Sequence, residues 1–331
     1  MAELPVPAPR KREAIIRVLA SSINIDDIHT AQGTFYGGIP VGARPRSDRP
    51  VTPGSDLAGV VTAVGDGVRS VHVGDAVFGV QVPFRAGGTW AEACAVDERW
   101  LAAKPEQLSF VQAAACGVSG LVALSAIDAL KVHPGFRLVV VGATGGIGGM
   151  AAQLAARAGA EVTGICSARN AQQAYRLGCS RVLDYRGEPW DRALSTNGAS
   201  VDGVLDAVGG RDVEEAGRRA LKRGGVFVTV VGPERFIGDR ALGWSGVLAI
   251  VARIAYRIVG SRIRGPRYVL TGPGPGGGKA LAKVAAAAAA GVLPPIDSTV
   301  PFEETAMQDA LRRAMAHENH GRIAIQMQTE S

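Results

Sequence analysis

The segment Leu138–Gly148 carries the residue pattern that most directly predicts chemistry. An apolar run leads into a glycine-rich turn, and an alanine-rich stretch follows it. A strand, turn and helix of this kind present backbone N–H groups and the positive end of a helix to a pyrophosphate. A second apolar run, Glu161–Cys166, supplies the context that a lone glycine pattern lacks. The sequence therefore predicts a dinucleotide site rather than a plain structural turn, with these contacts: Gly142, Ala143, Thr144, Gly145, Gly146, Ile147 and Gly148.

The residues that follow Glu161–Cys166 predict which dinucleotide binds. An NAD site usually places Asp or Glu about 20 residues after the glycines, where it holds the ribose 2′-OH. Here Ser167-Ala168-Arg169-Asn170 follows the strand instead. Ser167 can donate a hydrogen bond to a phosphate, and the Arg169 guanidinium can bind one bidentately. This predicts NADP(H). The alternative is that Arg169 is a solvated residue that begins the next helix.

Length and charge suggest two domains and a small anionic ligand. The 331 residues are 47% hydrophobic and carry a formal net charge of +6. This length is long for one domain and suits two. The positive charges are dispersed, with local concentrations at Arg10–Arg12 and Arg253–Arg267, and no nucleic-acid-binding motif accompanies them. We interpret the charge as favouring solubility and attraction of an anionic cofactor, and expect no nucleic-acid partner.

Cysteine spacing and targeting signals predict a cytoplasmic protein. The four cysteines show no C-x-x-C spacing, which is typical of reduced intracellular thiols. Met1–Arg12 lacks the apolar core of a secretory signal. The segment Ala241–Gly260 is apolar, but Arg253 and Arg257 interrupt it. We therefore expect an amphipathic helix that covers a pocket or a subunit interface, and no membrane span.

The order of apolar runs predicts an α/β chain. Short runs separated by Gly, Pro and Asp turns make the first 120 residues mostly β, and Phe110–Lys131 is then helical. From Phe136 onward strand and helix patterns alternate, which indicates right-handed βαβ crossovers and a parallel sheet. The predicted strands are Leu138–Gly142, Glu161–Cys166, Arg181–Asp184, Val201–Asp206, Gly225–Val231 and the final Ile323–Met327. The predicted helices are Ile147–Ala158, Asn170–Leu177, Asp212–Leu221 and Lys279–Gly291.

Several short motifs follow one another along nearly the whole chain. They are Ser22–Asp27, Pro53–Val61, Val73–Val77, Gly142–Gly148, Leu177–Gly178, Val182–Tyr185 and Asp206–Gly210. Their order resembles the medium-chain dehydrogenase/reductase superfamily, and more closely its zinc-independent quinone oxidoreductases, the zeta-crystallin group. The resemblance implies a GroES-like, β-rich catalytic domain at 1–123 and a Rossmann NADP-binding domain with a doubly wound sheet at 124–267. It also implies a C-terminal segment at 268–331 that returns to the catalytic domain, and a homodimer.

The same resemblance bears on whether a metal is expected. Zinc-dependent members place Cys near position 24 and Gly-His-Glu at 54–56, whereas this chain has Asn24 and Gly54-Ser55-Asp56. Catalytic zinc needs three protein ligands, and Cys116 alone falls where a zinc ligand would lie. We therefore expect no metal. Without a Lewis acid, hydride transfer needs an acceptor that conjugation already makes electrophilic, such as a quinone or an α,β-unsaturated carbonyl.

The resemblance also implies which residues surround the acceptor. Asn24 corresponds to the family's pocket asparagine, whose amide can donate to a developing oxyanion. His29 and Phe35 stand where family members often carry Tyr. The expected proton donor is therefore His29, or Tyr36, which is next to Phe35 in the sequence. Water is the alternative. The interpretation of His29 as a merely structural histidine stays open.

Further positions are implied for the cofactor and the pocket wall. Tyr185 is expected near the 2′-phosphate, with a simple packing aromatic as the alternative. Ser119 and the Val231-Gly232 backbone are expected to flank the nicotinamide. For Cys116, a small buried apolar residue and a thiol that enones alkylate are both open. The other expected pocket walls, which could equally be core residues, are Phe35, Trp90, Phe236 and Trp244.

These expectations combine into one predicted function, which is NADPH-dependent, zinc-independent reduction of a quinone or an enone. Two alternatives stay open. An enoyl-thioester reductase shares the metal-free hydride chemistry, and the basic Arg253–Arg267 segment would then meet a CoA or carrier-protein phosphate. A non-catalytic, NADPH-binding protein related to the crystallins is the other.

Overall fold

The computed structural model describes residues 3–31, 34–35, 39–40, 51–81, 87–195, 200–233, 244–263, 265–274 and 277–327. The chain divides into two compact units. Unit 1 comprises Met1–Leu121, Gly238–Ala241 and Pro275–Ser331. Unit 2 comprises Val122–Ile237 and Leu242–Gly274. The border between them in the sequence falls inside the helix Phe110–Leu130.

Unit 2 is built on a parallel sheet, as the alternation of strand and helix patterns predicts. Its strands are β8 (Arg137–Val141), β9 (Glu161–Cys166), β10 (Arg181–Asp184), β11 (Val201–Asp206), β12 (Leu221–Thr229) and β13 (Arg267–Leu270). In the described part of the chain they lie in the order β10-β9-β8-β11-β12-β13, and every pair is parallel. The helices are α3 (Gly146–Arg157), α4 (Ala171–Arg176), α5 (Trp190–Ser195), α6 (Arg211–Ala220) and α7 (Trp244–Ile263). The inner strands β8, β9 and β11 are apolar runs that are largely buried on both faces, which is usual for parallel sheets.

The predicted strands and helices of unit 2 are present within a few residues of their expected ends. The edge strand β13 and the short helix α5 were not predicted. Their sequences are only four and six residues long, and neither shows a clear apolar period. Tyr268 of β13 is nevertheless buried, and its ring stacks on Phe227 of β12 with ring centroids 5.6 Å apart.

Unit 1 is built on a mainly antiparallel sheet. Its strands are β1 (Glu13–Ser22), β4 (Asp56–Val64), β5 (Ala76–Val80), β6 (Ala93–Asp97), β7 (Leu101–Ala103), β14 (Ile296–Pro301) and β15 (Arg322–Gln326). A separate ribbon joins β2 (Thr34–Phe35) and β3 (Ile39–Pro40). The helices are α1 (Ile25–Ala31), α8 (Gly277–Ala289) and α9 (Glu304–Met315), with α2 (Phe110–Leu130) beginning in this unit. Among the described residues the sheet order is β14-β15-β1-β4-β5-β7, with β6 also paired to β1.

The two ends of the chain meet in the sheet of unit 1. Strand β1 pairs antiparallel with β4 on one side and with β15 on the other. Ser22, at the end of β1, stands opposite both Asp56 and Ala324. Because side chains two residues apart on a strand share a face, Arg322 comes to the same end of the sheet. This register brings three distant segments of the sequence together.

One described helix has the length and composition of a membrane span. It is α2, and 61% of its most apolar window is buried inside the structure. A helix that is apolar all round and buried is also typical of a protein core. The amphipathic helix expected at Ala241–Gly260 is present as α7.

Candidate functional site

The glycine turn of unit 2 connects β8 to α3 and is fixed against β9. The main-chain N–H groups of Gly142 and Ala143 both donate to the carbonyl of Ile165, at 3.0 and 3.3 Å. A Cβ atom on Gly148 would lie 2.2 Å from the Gly142 carbonyl oxygen. Only a residue without a side chain lets the helix approach the turn this closely. The turn therefore has the close strand-to-helix packing of a dinucleotide-binding unit.

The first turn of α3 offers hydrogen-bond donors to an anion. Gly145 is the N-cap, and it makes no side-chain capping hydrogen bond. The first intrahelical bond recorded there runs from the N–H of Gly149 to the carbonyl of Gly145, at 2.8 Å. The N–H groups of Gly146, Ile147 and Gly148 precede it, and such groups have no earlier helical acceptor. The helix terminus thus fits the pyrophosphate of a dinucleotide.

The residues predicted to bind the 2′-phosphate lie at the carboxyl ends of β9 and β10. Cys166 and Asp184 are paired in register, so Ser167 and Tyr185 follow neighbouring positions at this edge. Ser167 is buried and makes no capping hydrogen bond, whereas Arg169 is exposed. The Tyr185 ring is 55% exposed, which is more than a simple packing aromatic would show. Polar and cationic side chains therefore line this edge beside the glycine turn.

A buried Asp–Thr pair holds two further loops at the same edge of the sheet. The Thr229 hydroxyl donates to Asp206 Oδ2 at 2.9 Å, and both side chains are buried. Asp206 Oδ1 accepts the N–H groups of the next loop, from Val208 at 2.9 Å and Gly209 at 2.8 Å. Thr229 Oγ1 in turn accepts the N–H of Gly232 at 2.9 Å. The loop that contains the predicted contacts Val231 and Gly232 is thereby fixed to the end of β12.

In unit 1 a cluster of buried polar side chains surrounds Asp56. Its Oδ2 atom accepts hydrogen bonds from the Ser22 hydroxyl at 2.6 Å and from Asn24 Nδ2 at 2.9 Å. Arg322 Nη2 forms an ion pair with the same oxygen. Arg322 Nη1 donates to Asn24 Oδ1 at 2.7 Å, which fixes the orientation of that amide. We call Ser22, Asn24, Asp27, Ser55, Asp56 and Arg322 the Asp56 cluster.

Helix α2 closes the Asp56 cluster from one side. The main-chain N–H of Val118, in the middle of the helix, donates to Asp56 Oδ1 at 2.6 Å. A Cβ atom on Gly117 would lie 2.4 Å from the same oxygen, so the carboxylate reaches the helix backbone only because this residue is glycine. Both oxygens of Asp56 are thus fully engaged.

Asp27 is the second carboxyl group of the cluster. The Ser55 hydroxyl donates to its Oδ1 atom at 2.5 Å, and the Asn24 main-chain N–H donates to Oδ2 at 2.8 Å. Burial raises the pKa of Asp27 to about 7. The hydrogen bonds from Ser55 and Asn24 oppose this rise, the charge of Asp56 adds to it, and Arg322 lowers the pKa. Asp27 therefore exchanges its proton near neutral pH.

The amide of Asn24 is directed into the cluster. Its Nδ2 atom donates to Asp27 Oδ2 at 3.2 Å and to Asp56 Oδ2 at 2.9 Å, which uses both hydrogens. The sequence predicts that this amide donates a hydrogen bond to an oxygen of the substrate. In the structure it orients two carboxyl groups, and donation to a substrate requires one of these bonds to break.

Four other predicted site residues of unit 1 are buried. His29 is 2% exposed, and burial lowers the pKa of its imidazole, so it is neutral at pH 7. Burial, with a contribution from the charge of Asp56, raises the pKa of the Cys116 thiol to about 12, which favours the small buried residue over the reactive thiol. Trp90 Nε1 donates to the Ser22 carbonyl at 3.4 Å. The Ser119 hydroxyl is buried and has no hydrogen-bond partner among the described residues.

Four predicted residues lie wholly or partly outside the described residues. Tyr36 and Phe236 are outside them. Phe35 belongs to β2 and Trp244 begins α7, but only the backbone of these two residues is described. Their expected roles stay predictions.

The side chains near the superfamily's metal position do not fit a zinc ion. Zinc ligands must be deprotonated and must each offer a lone pair. Cys116 offers a single thiol, whereas a catalytic zinc ion takes three protein ligands. The two oxygens of Asp56 accept hydrogen bonds from Ser22, Asn24 and a main-chain N–H, and they pair with the Arg322 guanidinium. The carboxylate of Asp56 is thus already occupied by hydrogen bonds and by the Arg322 cation.

The sequence interpretation missed Arg322, Thr229 and the inward direction of the Asn24 amide. Arg322 is 266 residues from Asp56, and no spacing rule connects them. One signal was present, because an arginine begins the otherwise apolar strand Arg322–Gln326. A charged residue that is buried in a strand usually has a partner.

One unit has a parallel sheet with a glycine turn, and the other is a β-rich unit to which the C-terminal strand returns. Together these features define a dinucleotide-binding dehydrogenase of the medium-chain type. Residues 10–106 match the family model described as the alcohol dehydrogenase GroES-like domain. Residues 177–325 match the model described as zinc-binding dehydrogenase.

Known proteins with similar sequences and folds agree with this class. A mitochondrial NAD(P)H oxidoreductase of Bos taurus is 30% identical over 88% of this chain and 76% of its own length. A chloroplast envelope quinone oxidoreductase homolog of Arabidopsis thaliana is 33% identical, and the match spans 63% of each chain. The fold matches that of the Escherichia coli quinone oxidoreductase complexed with NADPH, with a TM-score of 0.76 at 24% identity, over 98% of this chain and 94% of that one. The chain belongs to the zinc-independent medium-chain dehydrogenase/reductase family that contains the quinone oxidoreductases.

Proposed function

We propose that this protein is an NADPH-dependent oxidoreductase that reduces a quinone or an α,β-unsaturated carbonyl without a metal ion. The observation that carries the proposal is the end of β9. Ser167 and Arg169 follow that strand, where an NAD site usually has a carboxylate. The names of the relatives from Arabidopsis thaliana and Bos taurus support a quinone acceptor and a nicotinamide donor.

Each part of the unit 2 edge has a role in this proposal. The N–H groups of Gly146, Ile147 and Gly148 bind the pyrophosphate. Arg169 pairs with the 2′-phosphate, and Ser167 donates a hydrogen bond to it. The residues that hold the remaining loops, Asp206 and Thr229, present the Val231-Gly232 backbone to the nicotinamide side of the dinucleotide.

The proposed acceptor is a molecule that can take a hydride without the help of a metal ion. Bound NADPH supplies a hydride, and a conjugated carbon accepts it without a Lewis acid. Charge then builds on the oxygen of the acceptor, which must receive a hydrogen bond or a proton. His29 is a weak proton source at pH 7 because burial lowers its pKa. Tyr36 and water are the proposed sources instead.

An enoyl-thioester reductase is the less supported alternative. It would use the Arg253–Arg267 segment to bind the phosphate of CoA or of a carrier protein. Two of these arginines are engaged elsewhere, because Arg257 Nε lies 2.5 Å and Arg253 Nε 4.0 Å from carboxylate oxygens of the buried Glu214. A phosphate would have to compete with this internal pair.

The test is a spectrophotometric assay of NADPH and NADH oxidation with three acceptors. We expect turnover with 1,4-benzoquinone or a 2-alkenal, and a kcat/KM at least about tenfold higher for NADPH than for NADH. Crotonyl-CoA is expected to be the poorest acceptor. Dialysis against a chelator should leave these rates unchanged.

The outcomes separate the candidate functions. Turnover of crotonyl-CoA alone would favour the enoyl-thioester reductase. Tight NADPH binding without turnover of any acceptor would favour the non-catalytic protein. Loss of activity with the chelator, restored by zinc, would contradict the metal-free mechanism.

A further inference from the structure

The side-chain amide of Asn24 has two acceptors in the Asp56 cluster, and they hold it unequally. Its Nδ2 atom donates to Asp56 Oδ2 at 2.9 Å and to Asp27 Oδ2 at 3.2 Å. Asp27 Oδ2 also accepts the main-chain N–H of Asn24, at 2.8 Å. Because hydrogen bonds weaken as they lengthen, the bond from the Asn24 side chain to Asp27 is the one that breaks most easily.

The two carboxyl groups of the cluster differ in what compensates their charge. Asp56 Oδ2 pairs with the guanidinium of Arg322. Asp27 accepts its hydrogen bonds from neutral donors, which are the Ser55 hydroxyl and the two N–H groups of Asn24. Since an adjacent cation favours the ionised form of a carboxyl group, the charge of Asp27 is the less compensated of the two.

Groups from several elements act on the proton of Asp27. Burial raises the pKa of this carboxyl group to about 7. The hydrogen bonds to Asp27 oppose the rise, the charge of Asp56 on β4 adds to it, and Arg322 on β15 lowers the pKa. The other titratable side chains of α1 are Asp26 and His29, and burial shifts the pKa of each in the direction that favours its uncharged form.

Protonation of Asp27 weakens its bond to the Asn24 side chain. A proton on Oδ1 lets this oxygen donate to Ser55 Oγ, which lies 2.5 Å away. Oδ2 is then the oxygen of a neutral acid, and hydrogen bonds to neutral groups are about half as strong as those to ionised ones. The nearer main-chain N–H of Asn24 retains this oxygen. One hydrogen of Asn24 Nδ2 therefore becomes available to another acceptor.

We propose that Asp27 is a positioning residue, and that its protonation frees the Asn24 amide to donate to the oxygen of the hydride acceptor. The inference rests on the proposed function, in which charge builds on that oxygen. The rest of the amide stays held, because Arg322 Nη1 donates to Asn24 Oδ1 at 2.7 Å and Asp56 keeps the other hydrogen. Ionised Asp27 draws the amide away from the acceptor, so reduction slows as Asp27 loses its proton to water.

Steady-state kinetics with saturating NADPH and a quinone test this effect. In the wild type, kcat should fall about tenfold between about pH 6 and pH 8, in step with the protonated fraction of Asp27. Asp27→Asn has no proton to lose at this position, so its kcat should change by about twofold at most over the same range. Asp309→Asn, at an exposed position, is the control and should follow the wild type.

The variant Ser55→Ala gives a readout that a merely structural role would not move. The hydrogen bond from Ser55 lowers the pKa of Asp27, so its loss should shift the midpoint of the pH profile upward. A general loss of structure would instead lower kcat at every pH and leave the midpoint in place.

A second measurement does not depend on turnover. The sequence contains four asparagines, so selective ¹⁵N-asparagine labelling yields four side-chain amide signals in NMR spectra. The signal that is missing from Asn24→Ala identifies Asn24. It should titrate with a midpoint near pH 7 in the wild type and stay constant in Asp27→Asn.

The two measurements separate this proposal from the proposed function. An Asn24 signal that does not change with pH, or equal pH profiles for the wild type and Asp27→Asn, would overturn the role of Asp27. A titrating Asn24 signal in a protein that reduces no acceptor would contradict the proposed function and still support the release of the amide. Equal midpoints in the NMR titration and in the kinetic profile would support both.

Discussion

The two candidate sites of this protein are lined by different kinds of groups. In unit 2, main-chain N–H groups of a glycine turn and of a helix terminus face the proposed ligand. In unit 1, side chains from three distant segments form the buried Asp56 cluster, and they hydrogen-bond to one another. The N–H groups of the first site have no acceptor within the helix and can bind a ligand. The carboxylate of Asp56 in the second site is already bound by its neighbours.

This difference shows what each kind of site contributes. A backbone site has donors whose direction is set by the strand, turn and helix, so it tolerates many side chains outside the glycines. A buried ionic cluster depends on every member, because a lost partner leaves a charge without compensation in a medium of low dielectric. Substitutions in unit 1 should therefore affect stability, and those at the edge of unit 2 should affect affinity.

The largest expected effect tests whether the Asp56 cluster depends on its cation. Arg322→Met leaves Asp56 buried without its ion pair, and should lower the free energy of unfolding by about 3–5 kcal/mol in urea denaturation. Asp56→Asn in the same chain should recover part of the loss. Arg312→Met is the control, because Arg312 and its partner Asp309 are both more than half exposed, and it should leave the free energy of unfolding nearly unchanged. Equal costs for the two arginines would contradict the comparison.

The next effect tests the close packing of the glycine turn. Gly148→Ala adds a Cβ atom 2.2 Å from the Gly142 carbonyl oxygen, so the turn or the helix must shift. We expect a cost of about 1–3 kcal/mol, seen as a roughly 5- to 150-fold higher Kd for NADPH in fluorescence titration. Gly272→Ala is the matched control, since an added Cβ there meets nothing within 4 Å. An unchanged Kd for Gly148→Ala would mean that the turn does not shape the cofactor site.

A smaller effect concerns the proton of Asp27. Its pKa is raised from 3.8 to about 7, so the folded chain holds the proton more tightly than the unfolded chain. The resulting stabilisation is complete below about pH 4 and is lost as the pH rises toward 7. Asp27→Asn mimics the protonated form at every pH. The difference in the free energy of unfolding between this variant and the wild type should therefore rise by about 2 kcal/mol, in favour of the variant, as the pH is raised from 5 to 7.

The measurement compares urea denaturation of wild type and Asp27→Asn at the two pH values. The same comparison with Asp309→Asn, at an exposed position, should show no such difference. A difference between wild type and Asp27→Asn that does not change with pH would show that Asp27 titrates normally.

The sequence predicted most of the fold because the signals are local, and the proposed cofactor site of unit 2 was likewise inferred from one short segment. Strands and helices follow from apolar periods, and the turn at Gly142–Gly148 lies within one short segment. The Asp56 cluster was not predicted, because Arg322 meets Asp56 only through the register of β1 with β4 and β15. The sequence predicted an amphipathic helix at Ala241–Gly260, but not which of its sides packs on unit 2. A helical pattern does not say which side faces the domain when Arg253 and Arg257 find a buried partner in Glu214.

The central claim is that the edge of unit 2 recognises the 2′-phosphate of NADPH through Arg169. The most direct test measures the Kd of NADPH and of NADH for wild type and Arg169→Ala by titration calorimetry. Arg157→Ala serves as the control, because this arginine lies at the opposite end of α3 from the glycine turn. We predict that Arg169→Ala weakens NADPH about tenfold or more and leaves NADH nearly unchanged, while the control changes neither. An equal loss for both cofactors, or no loss for either, would contradict the account.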